Sequence, residues 1–218
     1  MLPTSQVLEF ILIMTPLLVA VIAHEVAHGY VALRLGDPTA KAAGRLSANP
    51  LRHLDVFGSL ILPLMLKLSG APILFGYAKP VPVNFANLRN LRSGTLWVAS
   101  AGVIANFCLA ALSGAAFQMM LFMFGQFAAP GPFLLIILKL LAYSVMINLV
   151  LAVFNLIPIP PLDGGRILAA LLPLEISRKF QRIEPFGVVL LILLLLTNSL
   201  DLLMKFFITP IMNWLLNI

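Results

Sequence analysis

With 218 residues, 61% of them hydrophobic and only 10% charged, and a mean hydropathy of +1.05, this chain is too apolar for a soluble domain, in which the apolar share lies near half. Its length admits about four to six bilayer spans of roughly 20 residues each and excludes a separate soluble domain beside them. The formal charge of +6 is spread along loops between apolar runs, which argues against a nucleic-acid partner and assigns the basic residues a topological role.

The first predicted span covers residues 7–33. Residues 1–6 carry no basic side chain, so this segment is expected to be retained rather than removed as a leader. Further spans are predicted at 95–124, 132–157 and 186–208. The stretch 34–94 is rich in Pro, Gly and Asn, with strand-like pieces at 73–77 and 81–83, although Pro80 and Pro82 rule out a central strand. Residues 57–68 are apolar over too short a run to cross fully and are expected to be partly inserted. The expected fold is therefore an all-α polytopic membrane protein: about four transmembrane helices, a partly inserted segment and a small β-like hairpin, all in one domain spanning 1–218.

Arg34, Lys41, Arg45, Arg52, Lys67, Lys79, Arg89 and Arg92 fall between the first two spans, and Arg166, Arg178, Lys179 and Arg182 between the last two. These twelve of the 14 basic residues place 34–94 and 158–185 in the cytoplasm, and 125–131 with the amino terminus outside. The single cysteine, Cys108, has no partner for a disulfide and is read as core filler. Trp97 and Trp214 fit interfacial anchors.

The first span ends on His24-Glu25-Val26-Ala27-His28, after an apolar run over 10–23. At about 100° per residue, His28 lies about 40° around the helix from His24, and Glu25 about 60° from His28. Two imidazoles on one face with a glutamate between them are the H-E-x-x-H arrangement that grips zinc and supplies a general base. A lone histidine in an apolar helix is usually a satisfied core residue. Two at i, i+4 with an intervening glutamate, in hydrocarbon where ionisable groups are costly, are not. A rise of about 1.5 Å per residue from Phe10 puts His24 about 9 Å from the cytoplasmic edge of a core about 30 Å thick.

Catalytic zinc commonly takes three protein ligands, so one more is needed. His53 is the remaining histidine, and Glu9, Asp55, Asp163 and Asp201 are the acidic candidates in or beside apolar segments. Asp163 stands out. It follows Asn155, Pro158, Pro160 and Pro161 at the cytoplasmic end of the third span, where prolines break the helix and Gly164 and Gly165 allow close backbone approach. His53 and Asp55 are more readily a loop hydrogen bond than a proton shuttle or second ion site. Asn198, Ser199 and Asp201 suggest a polar seam or a bent helix end.

His24, Glu25 and His28, with Asn155, Pro158, Asp163 and Gly164 in the spacing N-x-x-P-x-x-x-x-D-G, resemble the paired motifs of the site-2 proteases, the intramembrane zinc metalloproteases. Gly102 to Asn106 resembles the small-residue motif of the helix between them, and Phe75 to Asn84 the segment preceding that helix. The likeness covers nearly the whole chain, in a minimal form without the PDZ domain, CBS domain and extra span of larger members. It implies one zinc per chain held by His24, His28 and Asp163, with Glu25 as general base. Asn155 would orient substrate or steady the oxyanion, or else simply bond helix to helix. Asn106 reads as packing or polar lining. The implied partners are the bilayer of a prokaryotic cell membrane and a transmembrane protein or peptide, whose helix must unwind to expose a carbonyl. The strand-like piece at 73–84 is a candidate for edge pairing with that segment. The substrate's identity and the oligomeric state stay open, and the rival readings are a membrane metal transporter or sensor and an inactive scaffold.

Overall fold

The computed structural model describes residues 4–53, 55, 61, 65, 79–124 and 131–217. Among the described residues four helices are long and apolar enough to cross a membrane, and the protein is an integral membrane protein. These are α1 (Thr4–Arg34), α3 (Leu91–Phe124), α4 (Pro132–Leu156) and α8 (Ser199–Leu216). Between them lie α2 (Thr39–Ala42), α5 (Asp163–Leu171), α6 (Leu174–Gln181) and α7 (Glu184–Leu196).

α3 is the centre of the bundle, packed against both α1 and α4, with α8 closing on α3 and α4. The reason is written in a stripe that winds slowly around it. Gly94, Val98, Gly102, Asn106, Ala110 and Gly114 recur every fourth residue and are all buried. Without a hydrophobic drive between helices in lipid, small side chains that let backbones approach are what hold such pairs together. A second cluster joins Ala110 to Val145, Leu149 and Val153 of α4 and to Ile208 and Leu216 of α8.

Three expectations are corrected. Cys108 is exposed: it lies two residues from Asn106, about 200° around α3 from the buried stripe, so it faces outward and fills no core. The last span is Ser199–Leu216 rather than 186–208, because the apolar run is cut at Asn198. That residue adopts a left-handed φ of 55°, a conformation asparagine tolerates better than most residues. The polar Asn198-Ser199 pair thus marks a break between α7 and α8, the bent-end alternative. Finally, residues 79–84 form no strand. Pro80 and Pro82 have no N–H, and the Val81 N–H between them bonds a side chain of α1 instead of a neighbouring strand. The pieces at 73–77 and, apart from Ile61 and Met65, at 57–68 lie outside the described residues.

Candidate metal centre

His24 and His28 project from the C-terminal half of α1 toward α3, and Asp163 meets them from the first turn of α5. The two Nε2 atoms are 2.9 Å apart, and Asp163 Oδ2 lies 3.1 Å from that of His24 and 3.2 Å from that of His28. Three ligands at about 2.0–2.1 Å from a tetrahedral zinc would stand about 3.3 Å from one another, so the triangle is close to the size the ion requires.

The hydrogen bonds behind the rings decide what the triangle contains. Asn148 Nδ2 donates to Ser144 O at 2.9 Å, which turns its Oδ1 toward Asn106. Asn106 Nδ2 then donates to that Oδ1 at 2.9 Å and to Ala20 O at 3.2 Å, leaving Asn106 Oδ1 to face His24 Nδ1 at 2.6 Å. His24 must therefore carry its proton on Nδ1. His28 Nδ1 faces the Val98 carbonyl at 2.6 Å and must do the same. In the neutral rings both Nε2 atoms are then bare lone pairs, and Asp163 Oδ2, buried among them, has no other hydrogen-bond donor. Three acceptors facing one another in an apolar bundle repel unless a cation sits among them. His24, His28 and Asp163 can hold a metal ion.

Gly102 leaves the room. A Cβ there would lie 2.5 Å from His28 Nε2 and 2.6 Å from His24 Nε2. Gly164 has a different part from the expected one: its added Cβ would meet Leu156 O at 2.2 Å, so it closes the turn from α4 into α5 rather than approaching the metal. Arg92 then fixes the far end of α5, donating from Nε to Ala170 O at 2.6 Å and from its guanidinium to Leu171 O at 2.7 Å.

Glu25 is positioned from the loop side. Its Oε2 accepts the Val81 N–H at 2.7 Å. Segment 79–84 is moored at both ends: the Lys79 N–H bonds His53 O at 2.9 Å, Arg45 donates to Lys79 O at 2.6 Å, and the Asn84 N–H bonds Asp37 Oδ2 at 2.7 Å. Asp37 is fully buried and also accepts from Thr39 N–H at 3.1 Å and Asn87 Nδ2 at 2.8 Å. Burial pushes its carboxyl up, but the Thr39, Asn87 and Asn84 donors outweigh that and hold it below the ordinary value.

Asn155 lines the same 370 Å³ cavity as His24, Glu25, His28 and Asp163. One amide hydrogen goes back to Leu151 O of its own helix at 3.0 Å, so it makes no helix-to-helix bond through that hydrogen, and its second amide hydrogen remains for the cavity. His53 lies outside the cluster, with its Nε2 2.6 Å from Ser47 O. Asn106 has a larger part than packing or polar lining, and Asn148 and Asp37 join the site without a motif to mark them. A buried Asn in an apolar helix and the Asp-x-Thr turn after Gly36 were the signals available.

Comparison with known proteins gives this centre its class. The profile described as peptidase family M50 matches residues 133–197. The chain is 35% identical over 181 residues to a Bacillus subtilis protein named "Putative zinc metalloprotease YwhC", covering 83% of this chain and 78% of that one. It is 29% identical to "Putative zinc metalloprotease Rip2" of Mycolicibacterium smegmatis and 30% identical to the protein of that name in Mycobacterium tuberculosis H37Rv, in each case over 91% of this chain and 72% of the relative. No solved structure matches. The protein is a membrane-embedded metalloprotease with zinc as its cofactor. It belongs to peptidase family M50, the site-2 proteases.

Proposed function

We propose that the protein is an intramembrane endopeptidase that cuts peptide bonds in or beside transmembrane segments of membrane proteins. His24, His28 and Asp163 hold the zinc, Glu25 is the general base and Asn155 positions the substrate. The observation that carries this reading is the convergence of two imidazole nitrogens and a carboxylate oxygen within 3.2 Å of one another beside a glutamate, inside a bundle of helices apolar enough to cross a membrane. Bound zinc supplies a Lewis acid that polarises a carbonyl and makes water acidic near neutrality.

The chain's own groups divide the remaining work. Val81 N–H holds Glu25 Oε2, which leaves Oε1 to take a proton from the attacking water and return it to the leaving amine. Asn155 lines the cavity with one amide hydrogen still uncommitted, and in this reading that hydrogen donates to the carbonyl oxygen as charge develops there. The distribution of basic residues supports a cell-membrane location with the site toward the cytoplasm. The test is Glu25→Gln in purified protein: zinc stays at one per chain while hydrolysis of a transmembrane peptide falls by at least 100-fold. Wild-type protein that carries zinc across a vesicle membrane and cleaves no membrane peptide sinks the proposal in favour of a transporter.

A further inference from the structure

Arg166 stands three residues after Asp163 on α5, almost one helical turn on, and so emerges beside the metal cluster. Its guanidinium carbon lies 4.9 Å from the centroid of the Phe85 ring, a cation–π contact that orients it without neutralising it. Among the described residues it makes no ion pair. It is the one arginine or lysine among the described residues lining the 370 Å³ cavity of the metal cluster, and it also lines an adjoining cavity of 290 Å³. Phe85, Pro161 and Arg166 are common to both. The two cavities therefore abut along this side chain, forming one cleft that leads from Glu25 to Glu184 at the start of α7.

An endopeptidase must accommodate polypeptide on both sides of the bond it cuts, so a subsite next to the catalytic cavity is a requirement of the reaction; this step rests on the endopeptidase reading above. The chemistry of the cleft specifies what that subsite accepts. A guanidinium walled by proline and a phenyl ring gains most from a planar anion that takes two parallel N–H bonds. Glu184 carries the opposite sign and lies beyond ion-pair distance of Arg166, so the cleft favours an acid beside Arg166, where the two cavities meet, and disfavours one at the Glu184 end. We propose that the second cavity is a substrate subsite in which Arg166 reads an aspartate or glutamate side chain close to the scissile bond.

The experiment uses zinc-loaded Glu25→Gln protein in detergent micelles and fluorescein-labelled transmembrane peptides of one sequence. Positions flanking the centre are set in turn to Glu, Gln or Lys, and binding is read by anisotropy. At one position Glu is expected to bind about fivefold to tenfold more tightly than Lys. Adding Arg166→Glu inverts that order, and Arg166→Lys keeps it in weakened form. An unchanged order in the Arg166→Glu protein, or no preference for Glu at any position, overturns the proposal. Should the Arg166→Glu protein fail to retain zinc, Arg166→Gln in the same background is read instead: a flattened series supports the subsite and an unchanged one overturns it. Hydrolysis of the same peptides by wild type reports separately on the reaction. Charge preference without cleavage removes the endopeptidase reading and leaves the Arg166 subsite standing.

Discussion

His24 and His28 are fixed by partners on a membrane-spanning helix, Asn106 and Val98 of α3, whereas Glu25, on the same turn of α1, is fixed by the loop residue Val81. The histidine side is inside the bundle, and each ring has lost its choice of tautomer. The glutamate side is held by an extended segment whose moorings are Asp37 at one end and Arg45 and His53 at the other. Adjacent residues of one motif are thus supported by different parts of the fold. Metal retention and proton transfer are therefore separable by mutation even though their residues are neighbours in sequence.

The most severe break is Gly102→Ala. Its Cβ would fall 2.5–2.6 Å from both Nε2 atoms, so zinc measured by mass spectrometry after gel filtration should drop from one per chain to near none. Asn106→Leu comes next: it removes the acceptor that sets the His24 tautomer and should weaken zinc binding about 10-fold to 100-fold, read by competition with a chelator. Asn106→Asp keeps the acceptor for His24 but sets its other oxygen against Asn148 Oδ1 and Ala20 O, so it should recover only part of that loss. On the other side of the comparison, Val81→Pro deletes a single N–H. It should lower kcat about tenfold while zinc content stays at one per chain; equal loss of zinc in the Val81 and Asn106 variants would erase the distinction between the two sides.

The effect most remote from the metal, on the fold and only through it on the reaction, belongs to Asp37. Its folded-state value lies below the ordinary 3.8, so the ionised carboxylate favours the fold. That contribution is fully present above the ordinary value and is lost as pH falls through the lowered one. Asp37→Asn should cost about 1–3 kcal/mol near neutral pH and abolish this acid-dependent loss, both measurable by thermal unfolding in detergent at a series of pH values.

His24, Glu25 and His28 are legible in the sequence because their geometry is local: helix periodicity alone brings them to one face. Asp163 is harder, 135 residues beyond His28, and was singled out by prolines and glycines at a span's end together with the paired-motif resemblance. Asn106 was undervalued because what makes it important is a bond to a residue 82 positions away, and nothing in its own neighbourhood distinguishes that bond from packing. The break at Asn198 was hidden because the run over 185–196 is so apolar that summed hydropathy carries through a single left-handed residue. The hairpin was misread for the opposite reason. Alternating valines and prolines suggest a strand, but the one free N–H among 80–82 was already committed to a side chain on α1.

Each imidazole spans two joints at once, its Nδ1 bonded to α3 and its Nε2 turned to Asp163 of α5. The cation is then the clasp between α1 and α5. Stripping it with a chelator leaves the two rings facing a carboxylate with nothing between them, and their mutual repulsion would bear on the docking of α5 against α1. Demetallation should therefore be felt as a slackening of that short helix, with amides along 163–171 exchanging faster with deuterium, well beyond the few atoms that touched the ion.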